Sequence, residues 1–211
     1  MEITDCRFCD ILNNSFLKSN TRDCVPIYNT VLLETPNFLV LPALGSIIPG
    51  YLMIITRSHI NSMAYLSKDH MDELIDLLSY LKHILMQTLN ITPIIFEHGS
   101  AINSTEVAAN SVDHAHVHVA PINMTTEMDI LNESQAIKIK DMYEIKSFMG
   151  NPYFLYINEN NYFISHEVTL ERQFMRKWLA KEAGSAPMWD WREYEFLENV
   201  NYTISILKNK L

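Results

Sequence analysis

Three histidines alternate with apolar residues in the middle of the chain. Residues 114–120 read His-Ala-His-Val-His-Val-Ala. Because alternate side chains of a β-strand point to the same face, His114, His116 and His118 are predicted to line one side of a strand, with neighbours about 6.6 Å apart. A neutral imidazole is nucleophilic near neutral pH, and a neighbouring imidazole can carry a proton to a leaving group. The row therefore predicts nucleophilic attack on a phosphoryl group, which needs in-line positioning and surrounding donors.

Two other interpretations of this row stay open on spacing alone. The histidines could bind a metal ion, or they could simply form a solvated strand face. Chance is a weak explanation for the alternation. With 8 His in 211 residues, three alternating histidines are expected somewhere in such a chain with a probability on the order of 1%.

Cys6 and Cys9 form the second set of residues with chemical potential. Their two-residue gap is that of half a zinc site, and the alternative is a pair of buried free thiols. The chain has three cysteines, the third being Cys24, and its first ten residues lack an apolar stretch. An odd, small number of cysteines without a secretory signal argues against a disulfide framework and predicts a reducing, cytoplasmic location.

Composition narrows the class of protein. The chain has 211 residues, 48% of them hydrophobic and 19% charged, which is enough to bury a core. Its formal net charge of −9 disfavours broad binding to nucleic acids, although a small phosphate ligand needs only a few local donors. No stretch approaches the roughly 18 apolar residues of a membrane helix, so no membrane association is expected.

The hydrophobic pattern predicts mixed secondary structure. Apolar residues recur every three or four positions from Met71 to Leu89, which predicts a helix over 68–90 with one buried face. Strands are predicted at 31–35, 38–41, 51–55, 94–96 and 114–121. The C-terminal third is predicted to contain a helix over 133–149, a hairpin joining 153–157 to 162–165 and a helix over 169–183.

These motifs together resemble the histidine-triad (HIT) superfamily, whose signature is His-φ-His-φ-His-φ-φ with φ apolar. Residues 114–120 satisfy every position of that signature. Three further segments resemble relatives: 6–12 (Cys-x-x-Cys), 49–60 (strand to helix) and 110–112 (Asn-Ser-Val). The resemblance covers roughly residues 5–122. It implies an α+β fold, in which a long helix packs on a twisted antiparallel sheet. It also implies a HIT domain at 1–125 and a C-terminal α/β extension at 126–211 that packs on the same domain.

The resemblance also implies residue roles. His116, the middle member, would form a covalent nucleotidyl-histidine intermediate, with His118 and His114 as the other catalytic members of the triad. Ser111 would donate to the phosphate or leaving group, and Asn110 would orient the leaving group or water. The implied substrates are dinucleoside polyphosphates, phosphoramidates or similar nucleotide conjugates, and the product is a nucleoside monophosphate. No catalytic metal is expected.

A structural zinc ion is implied by the zinc-binding members of the family. In those proteins a histidine after the third strand and the first triad histidine complete the cysteine pair. The corresponding ligands here are Cys6, Cys9, His59 and His114. Such a closed Cys2His2 site is structural rather than catalytic.

The chain also departs from its relatives. It has Tyr51 where they often have histidine, no ribose-binding aspartate at 41–43, and Glu97-His98-Gly99 where they have Asn-x-Gly. Glu97 and His98 are accordingly predicted to contact substrate.

The extension supplies two further candidate contacts. Gln173 and Arg176 lie three positions apart on a predicted helix and are hypothesised to hold substrate. The alternative is that they are ordinary surface polar groups. Trp189 and Trp191 are interpreted as packing residues.

Three functions follow from these observations. The first is a nucleotide hydrolase or nucleotidyl transferase, which the intact triad favours. The second is a nucleotide-binding sensor with little turnover, which Tyr51 and the missing aspartate leave open. The third is a structural protein that binds only metal. Relatives commonly form homodimers, and the extension could cover the surface that they use.

Overall fold

The computed structural model describes residues 6–13, 27–100, 114–166 and 170–211. Eight strands in this part of the chain form one antiparallel sheet in the order β1-β2-β3-β5-β4-β7-β8-β6. The strands are β1 (Leu33–Glu34), β2 (Phe38–Pro42), β3 (Leu52–Thr56), β4 (Ile94–Gly99), β5 (His116–Ala120), β6 (Ile137–Ile139), β7 (Tyr153–Asn158) and β8 (Asn161–Ser165). The α-helices are α1 (Arg7–Leu12), α2 (Lys68–Leu89), α3 (Glu127–Glu133), α4 (Phe174–Glu182) and α5 (Leu197–Leu207).

The long helix α2 confirms the clearest periodic pattern of the sequence. Ser67 caps its first turn by accepting the His70 N–H, and Asn90 ends it in the left-handed conformation. The side chains spaced at three and four positions are buried against the sheet: Met71, Leu74, Leu77, Leu78, Leu81 and Leu85. This apolar face supplies much of the first hydrophobic core.

The two faces of the sheet have different partners. One face packs against α2, and Val117 and Val119 of β5 belong to that core. The opposite face packs against α1, α3 and α4 in a second core. Because side chains alternate along a strand, His116 and His118 lie on this second face, beneath α1 and α4.

The C-terminal third extends the same sheet. Strands β7 and β8 form the predicted hairpin, with Glu159 and Asn160 in its turn, and β7 pairs with β4 from Tyr153 to Ile157. The hairpin prediction is confirmed. The boundary between residues 125 and 126 stays a prediction, because strands from both sides of it share one hydrogen-bonded sheet.

Four sequence predictions need correction. The helix predicted at 133–149 is a short strand, β6, followed by a 3₁₀ helix over Met142–Phe148, because α3 ends at Glu133 and Gln135 turns the chain with a positive φ of 52°. The strand predicted at 31–35 is only Leu33–Glu34, and the one predicted at 114–121 begins at His116. The helix predicted at 169–183 runs over Phe174–Glu182.

The fold is therefore α+β, with a long helix packed on an antiparallel sheet, as predicted. That helices also cover the opposite face of the sheet was not predicted. Within the described ranges, none of the helices combines the length and the apolar character needed to cross a bilayer.

Candidate functional site

His116 opens strand β5, and its ring is fixed by a backbone hydrogen bond. The Nδ1–H donates to the carbonyl oxygen of His114 over 2.7 Å, so the neutral ring carries its proton on Nδ1 and leaves the lone pair on Nε2. Burial lowers the pKa of His116 below its usual range, which keeps the imidazole neutral. A neutral ring with a free Nε2 is the form in which histidine acts as a nucleophile.

His118 stands beside His116 on the same face. Their ring centroids lie 5.0 Å apart. The His118 ring stacks on Phe96 at 4.6 Å and 12°, and the Tyr51 hydroxyl lies 3.0 Å from its Nδ1. A hydroxyl that donates to Nδ1 leaves the ring proton on Nε2, where it can donate to a ligand. Burial, together with the charges of His116 and Arg176, holds the pKa of His118 well below its usual value.

Tyr51 is the residue that contacts the Nδ1 side of the His118 ring. It is fully buried between the second core and His118, and burial raises the pKa of its hydroxyl well above the ordinary value. The replacement of histidine by tyrosine at this position therefore supplies a neutral hydrogen-bonding partner for His118.

Both rings line a pocket on the second face. The pocket contains about 740 Å³ of empty space, part of which is open to solvent. Strands β2 to β5 form its floor, α1 contributes Arg7 and Phe8, and the C-terminal segment contributes Arg176 and Trp191. Two arginines and no carboxylate line it, counting only the described residues.

Four predicted metal ligands converge beside this pocket. One ligand atom from each of Cys6, Cys9, His59 and His114 lies within 4.8 Å of the others. Nδ1 of His114 lies 3.4 Å from Sγ of Cys6, and Nδ1 of His59 lies 3.3 Å from Sγ of Cys9. The edge between sulfur and nitrogen in a tetrahedral zinc site is about 3.6 Å, calculated from the usual Zn–S and Zn–N bond lengths. The donor set and its spacing therefore fit a tetrahedral metal ion.

His114 belongs to this metal site rather than to the pocket. Its Nε2–H donates to the carbonyl oxygen of Thr56 over 2.8 Å, which orients Nδ1 towards the thiols. Both ring nitrogens are therefore engaged away from the pocket. His114 contributes to the histidine row through its backbone, since its carbonyl oxygen accepts the His116 proton.

The cysteine pair also lies beside the pocket wall formed by α1. Cys6 immediately precedes this six-residue helix and Cys9 lies in its first turn. Between them, Phe8 packs against both His114 and His116 at centroid distances of 5.5 and 5.2 Å. The guanidinium of Arg7 lies 4.9 Å from the Tyr28 ring centre and 5.7 Å from that of Trp191. Ligation of the thiols would therefore hold an apolar wall and a cation over the histidines.

Glu97 lies on the opposite face of the sheet from His116, although it was predicted to contact substrate. Its carboxylate is 1% exposed and accepts the Met63 N–H over 2.8 Å and the Tyr153 hydroxyl over 2.6 Å. The tyrosine ring can approach because residue 99 is glycine, where a Cβ would meet that ring at 2.3 Å. Glu97 is therefore a buried structural carboxyl, separated from the pocket by the sheet.

This carboxyl makes stability depend on pH. Burial raises the pKa of Glu97 from 4.5 to about 7, so between these pH values the folded protein keeps a proton that the unfolded chain releases. We expect the free energy of unfolding to fall by about 3 kcal/mol as pH rises through this window. Above the window, Glu97 should cause no further decrease. Urea denaturation at several pH values would measure this dependence. The Glu97→Gln variant should lack this component, and equal pH dependence in the two proteins would contradict the assignment.

Gln173 and Arg176 line the pocket, but both are committed to other protein groups. Gln173 donates to Asp190 over 3.0 Å. Arg176, 6% exposed, donates to the carbonyl oxygens of Leu44, Gly45 and Trp189. Gly45 permits this approach, because a Cβ there would meet Nη2 of Arg176 at 2.7 Å. The alternative of a surface polar group is wrong for both residues, and their hypothesised contact with substrate stays a prediction.

Arg176 is expected to hold the C-terminal segment against the loop after β2. Replacing Arg176 with Met leaves three backbone carbonyls without their charged donor, and should lower the free energy of unfolding by about 3 kcal/mol. Urea denaturation would measure the loss, with Lys208→Met at an exposed position as the control. An unchanged midpoint for Arg176→Met would show that these bonds do not anchor the segment.

Two predicted contacts, Asn110 and Ser111, lie outside the described residues. The sequence also missed pocket residues that the structure brings in from distant segments: Arg7, Tyr28 and Trp191. Arg7 lies between the two cysteines, so its position follows from the metal ligands. No sequence signal linked Tyr28 or Trp191 to the histidines.

Comparison with known proteins places these observations in a family. Residues 26–124 match the family model described as the HIT domain. A Zn-bound histidine triad family protein from Mycobacterium smegmatis is 20% identical, with 58% of this chain and 78% of that chain covered and a TM-score of 0.42. A HIT family hydrolase from Clostridium thermocellum is 19% identical, with 58% and 95% covered and a TM-score of 0.40. No curated protein matches the sequence.

The family match includes the whole histidine row. It spans β1 to β5 and α2, and it excludes Cys6, Cys9 and the C-terminal third. The chain therefore contains a HIT domain, the domain of the histidine-triad superfamily, at residues 26–124.

Proposed function

We propose that the protein is a nucleotide hydrolase or nucleotidyl transferase that acts at the α-phosphate through a covalent intermediate on His116. The observation that carries this proposal is the hydrogen bond from Nδ1 of His116 to the His114 carbonyl. This bond fixes the tautomer and leaves Nε2 unprotonated in a ring that lines the pocket.

The charges around the pocket support an anionic substrate. The protein has a formal net charge of −9, yet the described lining of this pocket contains Arg7 and Arg176 and no acidic residue. A positive site with apolar walls favours a phosphate group next to an apolar base. A nucleotide conjugate combines these two parts.

The chemical steps balance as follows. Nε2 of His116 attacks the α-phosphorus, a new P–N bond forms, and the bond between phosphorus and the leaving group breaks. Neutral His118 donates a hydrogen bond from Nε2–H to the phosphoryl or leaving group, and the leaving group takes its proton from water. A water molecule then attacks the phosphorus and releases neutral His116, a nucleoside monophosphate and one proton. A second acceptor in place of water would give transfer instead of hydrolysis.

We also propose that the metal site holds structural zinc. Cys6, Cys9, His59 and His114 would be its four ligands, and such a closed set leaves no position for substrate. When bound, zinc would supply a cross-link between α1, the segment after β3 and the residue before β5. Thiol ligands of this kind are typical of a reducing compartment, which agrees with a cytoplasmic location.

A substrate panel tests the proposed function. The wild-type protein is incubated with dinucleoside polyphosphates and nucleoside phosphoramidates, and release of nucleoside monophosphate is measured by chromatography. We expect turnover of at least one class. Tight binding of these compounds without any release would instead support the nucleotide sensor, and the absence of both binding and turnover would contradict the proposal.

A further inference from the structure

His98 is a histidine of the pocket that the triad does not include. It lies on β4, two residues after Phe96, and therefore on the same face of the sheet as Phe96 and His118. Phe96 pairs with His118 across the ladder. Continuing that antiparallel register by two residues places His98 opposite His116, the proposed nucleophile.

Residues from the C-terminal third hold the His98 ring in place. The ring stacks on Phe154 of β7 at 4.9 Å and 26°, and it meets the edge of Phe174 of α4 at 6.5 Å. These apolar contacts fix the plane of the ring without using either nitrogen. The extension therefore does more than cover the sheet, because it supports a polar ring in the pocket.

Neither nitrogen of this ring has a hydrogen-bond partner within the described part of the chain, although both are buried. A buried polar group without a partner destabilises a folded protein, and such groups persist mainly where a ligand or a chemical step uses them. A half-turn about the Cβ–Cγ bond exchanges the ring's nitrogen and carbon positions, so the edge that lines the pocket can present a nitrogen. Burial lowers the pKa of His98 to about 3, so the ring is neutral and has one N–H donor.

We propose that His98 binds the substrate by donating a hydrogen bond to an oxygen of the phosphoryl group that His116 attacks. This inference rests on the proposed function, and it names a third pocket histidine, which acts together with His116 and His118. Because His98 lies on β4, the strand that pairs with β5, its donor would approach the phosphoryl group from the β4 side of the pocket. The role is substrate binding in a neutral form, not proton transfer.

The test compares His98→Phe with the wild-type protein. Phenylalanine keeps an aromatic ring for the stack on Phe154 and removes both nitrogens. We expect affinity for adenosine 5′-monophosphate and for inorganic phosphate, measured by titration calorimetry, to fall about 10-fold. We expect the melting temperature to stay the same or to rise, because an unpartnered polar ring has been replaced by an apolar one.

Two further variants sharpen this test. His98→Gln keeps an N–H donor and should retain more of the affinity than His98→Phe, and His83→Phe on the exposed side of α2 should change neither quantity. Unchanged affinity for both probes in His98→Phe would overturn the inference. A clear fall in its melting temperature would also overturn it, since the nitrogens would then have a structural partner.

The outcomes separate this inference from the proposed function. Wild-type protein that binds adenosine 5′-monophosphate through His98 but never releases product would contradict the catalytic proposal and leave the His98 contact supported. Turnover that is insensitive to His98→Phe, with unchanged affinity, would contradict only the contact. Wild-type protein that binds neither probe would contradict both.

Discussion

Replacing His116 with Ala should reduce turnover of a nucleotide conjugate by about 10³-fold or more, because the proposed P–N bond cannot form without its Nε2. Affinity for the nucleoside monophosphate should change much less, since the arginines and apolar walls of the pocket remain. Initial rates with the best substrate of the panel, together with calorimetry, would measure the two quantities separately.

Two control variants accompany this turnover measurement. His83→Ala removes an exposed histidine on α2 and should leave turnover unchanged. His116→Asn keeps a polar side chain in the same place, and thermal melting of both variants at position 116 shows whether the fold survives. Turnover by folded His116→Ala at the wild-type rate would exclude His116 as the nucleophile.

Removing the metal ligands should have the second-largest effect. The Cys9 thiol lies close to the rings of both His59 and His114. The Cys9→Ser variant is therefore expected to lose bound zinc and to melt about 10 °C lower. Zinc content by atomic absorption and thermal melting would measure these changes. Cys24→Ser removes a thiol outside the predicted ligand set and is the matched control.

Loss of the metal should also weaken ligand binding in the pocket. Without its cross-link, α1 no longer holds Arg7 and Phe8 over the histidines, and the His114 carbonyl loses the restraint that its ring provides. We therefore expect Cys9→Ser to bind adenosine 5′-monophosphate more weakly than Cys24→Ser. Wild-type zinc content, melting temperature and affinity in Cys9→Ser would contradict a structural metal at this site.

Much of the site follows from local pattern in the sequence. The alternation from His114 to His118 predicted three imidazoles on one face, because a strand has a side-chain period of two. Two of them, His116 and His118, line the pocket, whereas His114 precedes the strand and turns to the thiols. The same rule excludes Glu97 from the pocket, because Glu97 lies one position from His98 and therefore on the other face of β4. The substrate contact predicted for Glu97 was based on the corresponding position in family members and did not take this alternation into account.

Other parts of the structure depend on long-range packing. The helix predicted at 133–149 is replaced by β6 because Ile137 to Ile139 pair with β8, a partner that local periodicity does not show. Arg176 sits at helical spacing from Gln173, but its guanidinium goes to carbonyls of the loop after β2. Only the folded chain reveals that Trp191 and Tyr28 meet at one pocket.

Intact mass spectrometry would detect the proposed covalent intermediate on His116. Wild-type protein is mixed with its substrate, quenched by denaturation during turnover, and weighed before peptide mapping. We expect a mass gain of one nucleoside monophosphoryl group, located on His116 and absent from His116→Ala. Steady release of product by protein that never carries this group on His116 would contradict it.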